Sequence, residues 1–161
     1  MKTINQEDFT SSLSALLKET FESTDTAFGT MYLDKGTGFF ATIENISAEL
    51  ASRSVSAGGT TIAAHCEHTR FYLEFMTDYL NEDFKMVDWK DSWKVKTVDE
   101  TEWNALRGQM QKTYQKVSDM VAEIEMWNDF KISGALGILA HTAYHLSAIR
   151  QLAKLKSEKD Q

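Results

Sequence analysis

Two histidines four residues apart, His141 and His145, sit in an apolar, small-residue run from Ile132 to Leu155. On a helix this spacing puts both imidazoles on one face, about 40° apart around the axis. Ile138, Ala148 and Leu152 share that face, whereas Arg150 and Lys154 fall opposite. The pair is therefore aimed at the interior. An imidazole in an apolar interior needs a partner, and a metal ion satisfies two at once; a core carbonyl or hydroxyl for each ring is the alternative. The other two histidines, His65 and His68, lie on a second helical stretch with Ile62, Tyr72, Leu73, Phe75, Met76 and Tyr79 on its apolar side. Glu67, Arg70, Glu74, Thr77 and Asp78 form its polar side. His65 falls near the centre of the apolar face, and His68 about 60° from it. All four histidines thus face the core, which favours the metal reading, because scattered histidines are seldom all interior.

The elements that must position these rings are helical throughout. Phe9, Leu13, Leu16, Leu17 and Phe21 recur at helical spacing from about Gln6 to Thr24, with Asn5 or Thr3 as cap. Gly29, Gly36 and the turn Asp34-Lys35-Gly36 interrupt the pattern between Asp25 and Thr37. Phe39, Phe40, Ile43, Ile46 and Leu50 resume it to about Ser52, either as a separate helix or as one helix continued past a kink. A Ser/Gly/Thr loop from Ser54 to Thr61 precedes the His65 helix, which runs to about Leu80. Asn81 to Lys96 is a long crossover with Trp89 and Trp93 as anchors. Thr97-Val98-Asp99-Glu100 has capping-box spacing. It opens a stripe of Trp103, Leu106, Met110, Tyr114, Val117, Val121, Ile124 and Trp127. Asn128 to Ser133 leads into the last helix, and no segment alternates with period two. The expectation is one all-α domain over residues 1–161, a bundle of four core helices with an extra short helix and a long crossover.

Composition narrows the function. The 161 residues suffice for one full core. A net charge of -7 and no Lys/Arg cluster argue against a nucleic-acid surface. No run of 18 or more apolar residues is present to span a membrane, and the first residues are charged rather than signal-like. With one cysteine, Cys66, no internal disulfide can form, so a cytoplasmic setting is expected. Cys66 lies about 100° round the helix from His65 and reads as a small buried hydrophobe, with a fourth ligand or a redox thiol as the alternatives. Tyr72, Tyr79 and Tyr144 read as core residues with their hydroxyls at the rim.

Taken in order, these residues resemble a known family. Thr61-Ile62-Ala63-Ala64-His65-Cys66-Glu67-His68 with His141-x-x-x-His145 is similar to the motif of the DinB/YfiT-like metalloenzymes. Asp88-Trp89-x-x-Ser92-Trp93, Glu102-Trp103-x-x-Leu106-Arg107 and Ala143-Tyr144-His145-Leu146-x-Ala148-Ile149-Arg150-Gln151 add to the likeness, which spans about residues 38–152. The resemblance implies a left-handed four-helix bundle, one divalent metal held by a lone histidine and a His-x-x-x-His pair, and a homodimer. The long helix from Thr97 to Trp127 would have apolar surface to spare for a second copy. Family spacing counted from Thr61 favours His68 as the lone ligand, and the helical wheel alone favours His65. The implied set is His68, His141 and His145, with His65 as the alternative to His68.

Three neutral imidazoles without thiolate or carboxylate leave a coordination position open, the pattern of catalytic rather than structural zinc. Zinc or nickel fits best, and iron(II) or manganese(II) is compatible. Such an ion lowers the pKa of a bound water or thiol. Members of the family resemble thiol S-transferases, so the leading expectation is transfer of a low-molecular-weight thiol to an electrophile, in detoxification or stress response. Metal-assisted hydrolysis is the alternative, lacking an evident carboxylate base. A non-catalytic, metal-stabilised binding or stress module is the third.

Overall fold

Asn5 opens the first helix. The computed structural model describes residues 4–23 and 30–154; Thr3, the stretch Asp25 to Gly29 where the first break begins, and Leu155 lie outside them. Asn5 Oδ1 accepts the Glu7 N–H at 2.9 Å and caps α1, Gln6–Glu22. The second stripe resolves into two short helices, α2 at Phe39–Glu44 and α3 at Ala48–Ala51. The break has a cause in hydrogen bonding. Arg107 donates to the Glu44 carbonyl at 2.8 Å, and Trp103 Nε1–H to the Ile46 carbonyl at 2.6 Å. Carbonyls that a continuous helix would pair internally are thus taken from outside, and Ser47 recaps the chain by accepting the Leu50 N–H.

The histidine-bearing helix α4, Ile62–Leu80, starts at Thr61. Its hydroxyl accepts the Ala64 N–H at 3.1 Å and donates to the Lys96 carbonyl at 2.7 Å. One side chain therefore caps the helix and pins the end of the crossover to its first turn. The crossover contains a 3-10 turn at Asp91–Trp93. α5, Glu100–Glu123, is opened by a reciprocal box between Asp99 and Glu102 at 2.8 and 2.9 Å, two residues later than the Thr97 spacing predicts. It also ends earlier than its apolar stripe. Trp127 lies beyond it, donating to Gln6 and Thr10 at 2.7 Å each and packing edge-on against Phe9. α6, Asp129–Lys154, begins inside the stretch expected to precede it, with Asn128 Oδ1 accepting the Lys131 N–H at 2.9 Å.

Among the described residues the fold is all-α, six helices and no strand. α4 packs along both α5 and α6, and α1 packs on α5, α6 and α2. Gly134 lets α6 close on α4, since a Cβ there would lie 2.4 Å from a Leu80 methyl. The large apolar residues of α5, from Trp103 through Val121, are buried. None of the large exposed apolar side chains among the described residues belongs to this helix, and Met126, 71% exposed, lies just beyond its end. No helix among the described residues is long and apolar enough to cross a membrane.

One buried charge lies far from the histidines in sequence. Glu19 is 1% exposed, and its carboxylate accepts the backbone N–H groups of Met31, Tyr32 and Leu33 at 2.8, 2.8 and 2.7 Å. Burial alone would raise its pKa, but the three amides outweigh it and hold the carboxyl below the ordinary glutamate value. The adjacent Thr20 and Tyr32 hydroxyls hydrogen-bond each other.

Candidate metal centre

α4 and α6 run antiparallel, so residues three or four apart on one helix meet residues four apart on the other in reverse order. His65 comes opposite His145, and His68 opposite His141. His65, His68 and His145 are buried, and His141 is half-buried. The first two turns of α4 are enclosed on nearly every side, with Ala63, Ala64, Cys66 and Thr69 buried beside the histidines. Amphipathic periodicity therefore could not choose between His65 and His68. Geometry separates them: one ligating nitrogen from each of His68, His141 and His145 lies within 4.8 Å of the other two, and His65 is outside that group.

The hydrogen bonds fix much of the protonation pattern. Ser92 donates its hydroxyl proton to the Trp89 carbonyl at 2.7 Å. The contact between Ser92 Oγ and His68 Nδ1, also 2.7 Å, must then use the His68 Nδ1–H. That leaves a lone pair on His68 Nε2, which faces His141 Nε2 at 3.2 Å. Two nitrogens each about 2.0 Å from one tetrahedral ion stand about 3.3 Å apart, so this spacing fits a shared cation. His141 is held differently, stacked on the Tyr72 ring at 3.7 Å and 15°, while its Nδ1 is buried without a hydrogen-bond partner among the described residues. His145 is held by His65, with the two Nδ1 atoms 2.9 Å apart, and His65 Nε2 reaches the Thr60 hydroxyl at 3.0 Å.

Burial keeps the rings neutral. It lowers the pKa of His65, with His68 adding to the effect, and that of His68. Burial, then the neighbouring His68, takes His141 to about 4. Burial, then His141, His68 and His65, takes His145 to about 3. Neutral imidazoles present the lone pairs a cation needs. No carboxylate or thiol belongs to the group among the described residues. A divalent ion fits these three residues, and an all-imidazole set accommodates zinc, nickel, iron(II) or manganese(II) without choosing between them.

No family model matches this chain, and neither does any curated protein or solved structure. What can be said of the site therefore comes from its residues. Tyr72 is half-buried against the core, but Tyr144 is 71% exposed and takes no part in it. Cys66 is 1% exposed, and burial, with Glu67 adding, pushes its thiol far above the ordinary range. It behaves as the small buried hydrophobe, not as a ligand.

Sequence reasoning missed the roles of Ser92 and Trp93. Trp93 is more than an anchor for the crossover, since its ring lies flat on His68 at 4.0 Å and 17°. Their signal was the Asp88-Trp89-Lys90-Asp91-Ser92-Trp93 run itself, polar and aromatic residues packed into a connection that carries no periodicity.

Proposed function

We propose that this chain is a divalent-metal enzyme of the DinB/YfiT type, its long helices forming that family's four-helix bundle, and that it transfers a low-molecular-weight thiol to an electrophile. The observation that supports this reading is the buried group of three imidazoles, His68, His141 and His145, with no anionic ligand among them. A divalent ion held there would leave a position open and lower the pKa of an entering thiol. The thiol loses its proton to solvent, its sulfur bonds to the electrophilic carbon, and the leaving group departs with the bonding pair.

The chain's own residues set the conditions for that step. Cys66 is sealed and protonated, so the reacting sulfur must come from a second molecule. His68, His141 and His145 are held neutral by their burial, and Tyr72 and Trp93 wall the cluster with aromatic faces. Hydrolysis is the weaker reading, because Glu67, on the same helix, is committed to a bidentate pair with Arg70 at 2.7 and 2.8 Å.

The test is thiol consumption by untagged, zinc- or nickel-loaded protein with a small thiol and an activated aryl halide. Turnover above the uncatalysed rate, lost in His141→Ala, is expected. A metal-loaded protein that neither binds nor consumes thiols would sink the transferase reading.

A further inference from the structure

Three ligand rings in this cluster are steadied by three different devices: a hydroxyl for His68, an aromatic face for His141, and a fourth imidazole for His145. The last is unusual in kind. Two Nδ1 atoms 2.9 Å apart can share only one proton. If His145 gives Nε2 to a cation, its Nδ1 carries that proton and His65 Nδ1 accepts it. His65 must then carry its own proton on Nε2, where the Thr60 hydroxyl stands 3.0 Å away to receive it. The chain of donors runs one way, from His145 through His65 to Thr60. It leaves no ring nitrogen along it without a partner. Thr60 is exposed, so the chain ends at solvent. His65 itself is 8% exposed and packs edge-on against Trp93, which fixes its ring plane.

We propose that His65 is a positioning residue for the metal centre, selecting the tautomer and orientation of His145 through the hydrogen bond between their Nδ1 atoms without ligating the metal itself. This rests on the metal reading above, and it concerns a residue that the three-ligand set leaves out. A hydrogen-bonded partner of this kind changes metal affinity by about 10–100-fold when it is removed. A ligand, by contrast, changes the coordination sphere when it is removed, and that difference is visible.

The experiment titrates untagged protein with cobalt(II) and zinc(II), following affinity by calorimetry and the cobalt d–d spectrum. His65→Leu is expected to bind both ions about 10–100-fold more weakly with unchanged cobalt band positions. His65→Gln, whose side-chain oxygen can accept the His145 Nδ1–H, should recover most of that loss. Thr60→Val, at an exposed position, should weaken binding by about threefold and serves where His65→Leu fails to fold. Cobalt bands that shift in His65→Gln would make His65 a ligand and overturn the proposal. Unchanged affinity in His65→Leu, or in Thr60→Val where His65→Leu does not fold, would overturn it while leaving the metal centre standing. Failure of the wild-type chain to bind either ion would overturn both readings together.

Discussion

Glu19 and the histidine cluster are both polar groups sunk in an apolar core, and they are satisfied in opposite ways. The Glu19 carboxylate is answered within the protein, by three backbone amides of the segment Met31 to Leu33. The cluster is answered at its edges and by its own rings. Ser92, His65 and the faces of Tyr72 and Trp93 hold the outer sides of the rings, while the inner nitrogens of His68 and His141 face each other across 3.2 Å. A closed arrangement of the first kind serves stability, fastening a loop to a helix. An arrangement whose inner contact is one 3.2 Å hydrogen bond between two imidazoles, with His141 Nδ1 unpaired among the described residues, is less completely answered. Of the two buried polar sites, the three close histidines are the one that could hold a metal ion.

The comparison breaks most sharply under substitution. His141→Ala or His145→Ala should lower zinc affinity by about a thousandfold, roughly a third of the binding free energy of a tight zinc site. Isothermal titration of the untagged protein measures this, and the fold should persist in the metal-free state. Glu19→Ala should do the reverse, costing about 3 kcal/mol by stranding backbone donors and lowering the melting temperature by about 10 °C. Its zinc affinity should stay within about twofold of wild type. A Glu19 variant that lost metal, or a His141 variant that unfolded, would dissolve the distinction.

Acid should separate the two regions along the pH axis. The histidines have folded pKa values below their unfolded ones, so between those values the unfolded chain binds more protons and stability rises with pH. The metal-free protein should therefore lose stability as pH falls below about 6.5, the loss continuing toward the values of about 4 for His141 and 3 for His145. Glu19 also has a lowered folded pKa, and its contribution is present above the ordinary glutamate value and lost only as pH falls beneath it. Melting temperatures from pH 8 to 3 should show an early decline that zinc suppresses and a later one that Glu19→Ala removes. A single decline unaffected by zinc would count against the separation.

Smaller effects sharpen the edges of the cluster. Ser92→Ala removes the acceptor of the His68 Nδ1–H and should weaken zinc binding by about tenfold. Tyr72→Phe keeps the ring that stacks on His141 and should change it by less than about twofold. If Tyr72→Phe cost as much as Ser92→Ala, the phenol and not its face would be the operative group.

The two regions also differ in how far they could be read from the sequence. The His-x-x-x-His pair and its interior orientation were legible, because helical spacing and residue type suffice to place both rings. So was the cap at Asn5, one of the two residues, with Thr3, that the sequence offered. The choice between His65 and His68 was not fixed by periodicity, because α4 is buried nearly all round where both residues sit. Ser92 and Trp93 come from a connection without a repeat, and their place depends on how the crossover returns to α4. Glu19 was invisible for a different reason. A glutamate on an amphipathic helix reads as solvent-facing, and its partners are amides, which carry no sequence signature. The split between α2 and α3 likewise came from carbonyls claimed by Trp103 and Arg107 across a long stretch of chain.

Of the four tryptophans, Trp103 is sealed in the core, Trp127 packs on Phe9, and Trp89 sits among Phe71, Tyr72 and Phe75. Trp93 alone touches imidazoles among the described residues, lying flat on His68 and near His65 and His145. An indole so placed senses the charge that reaches its neighbour, so its emission should change in colour or intensity as a cation enters. Its emission would then serve as an optical gauge of a bound metal, which Trp93→Phe should silence while His68, His141 and His145 remain.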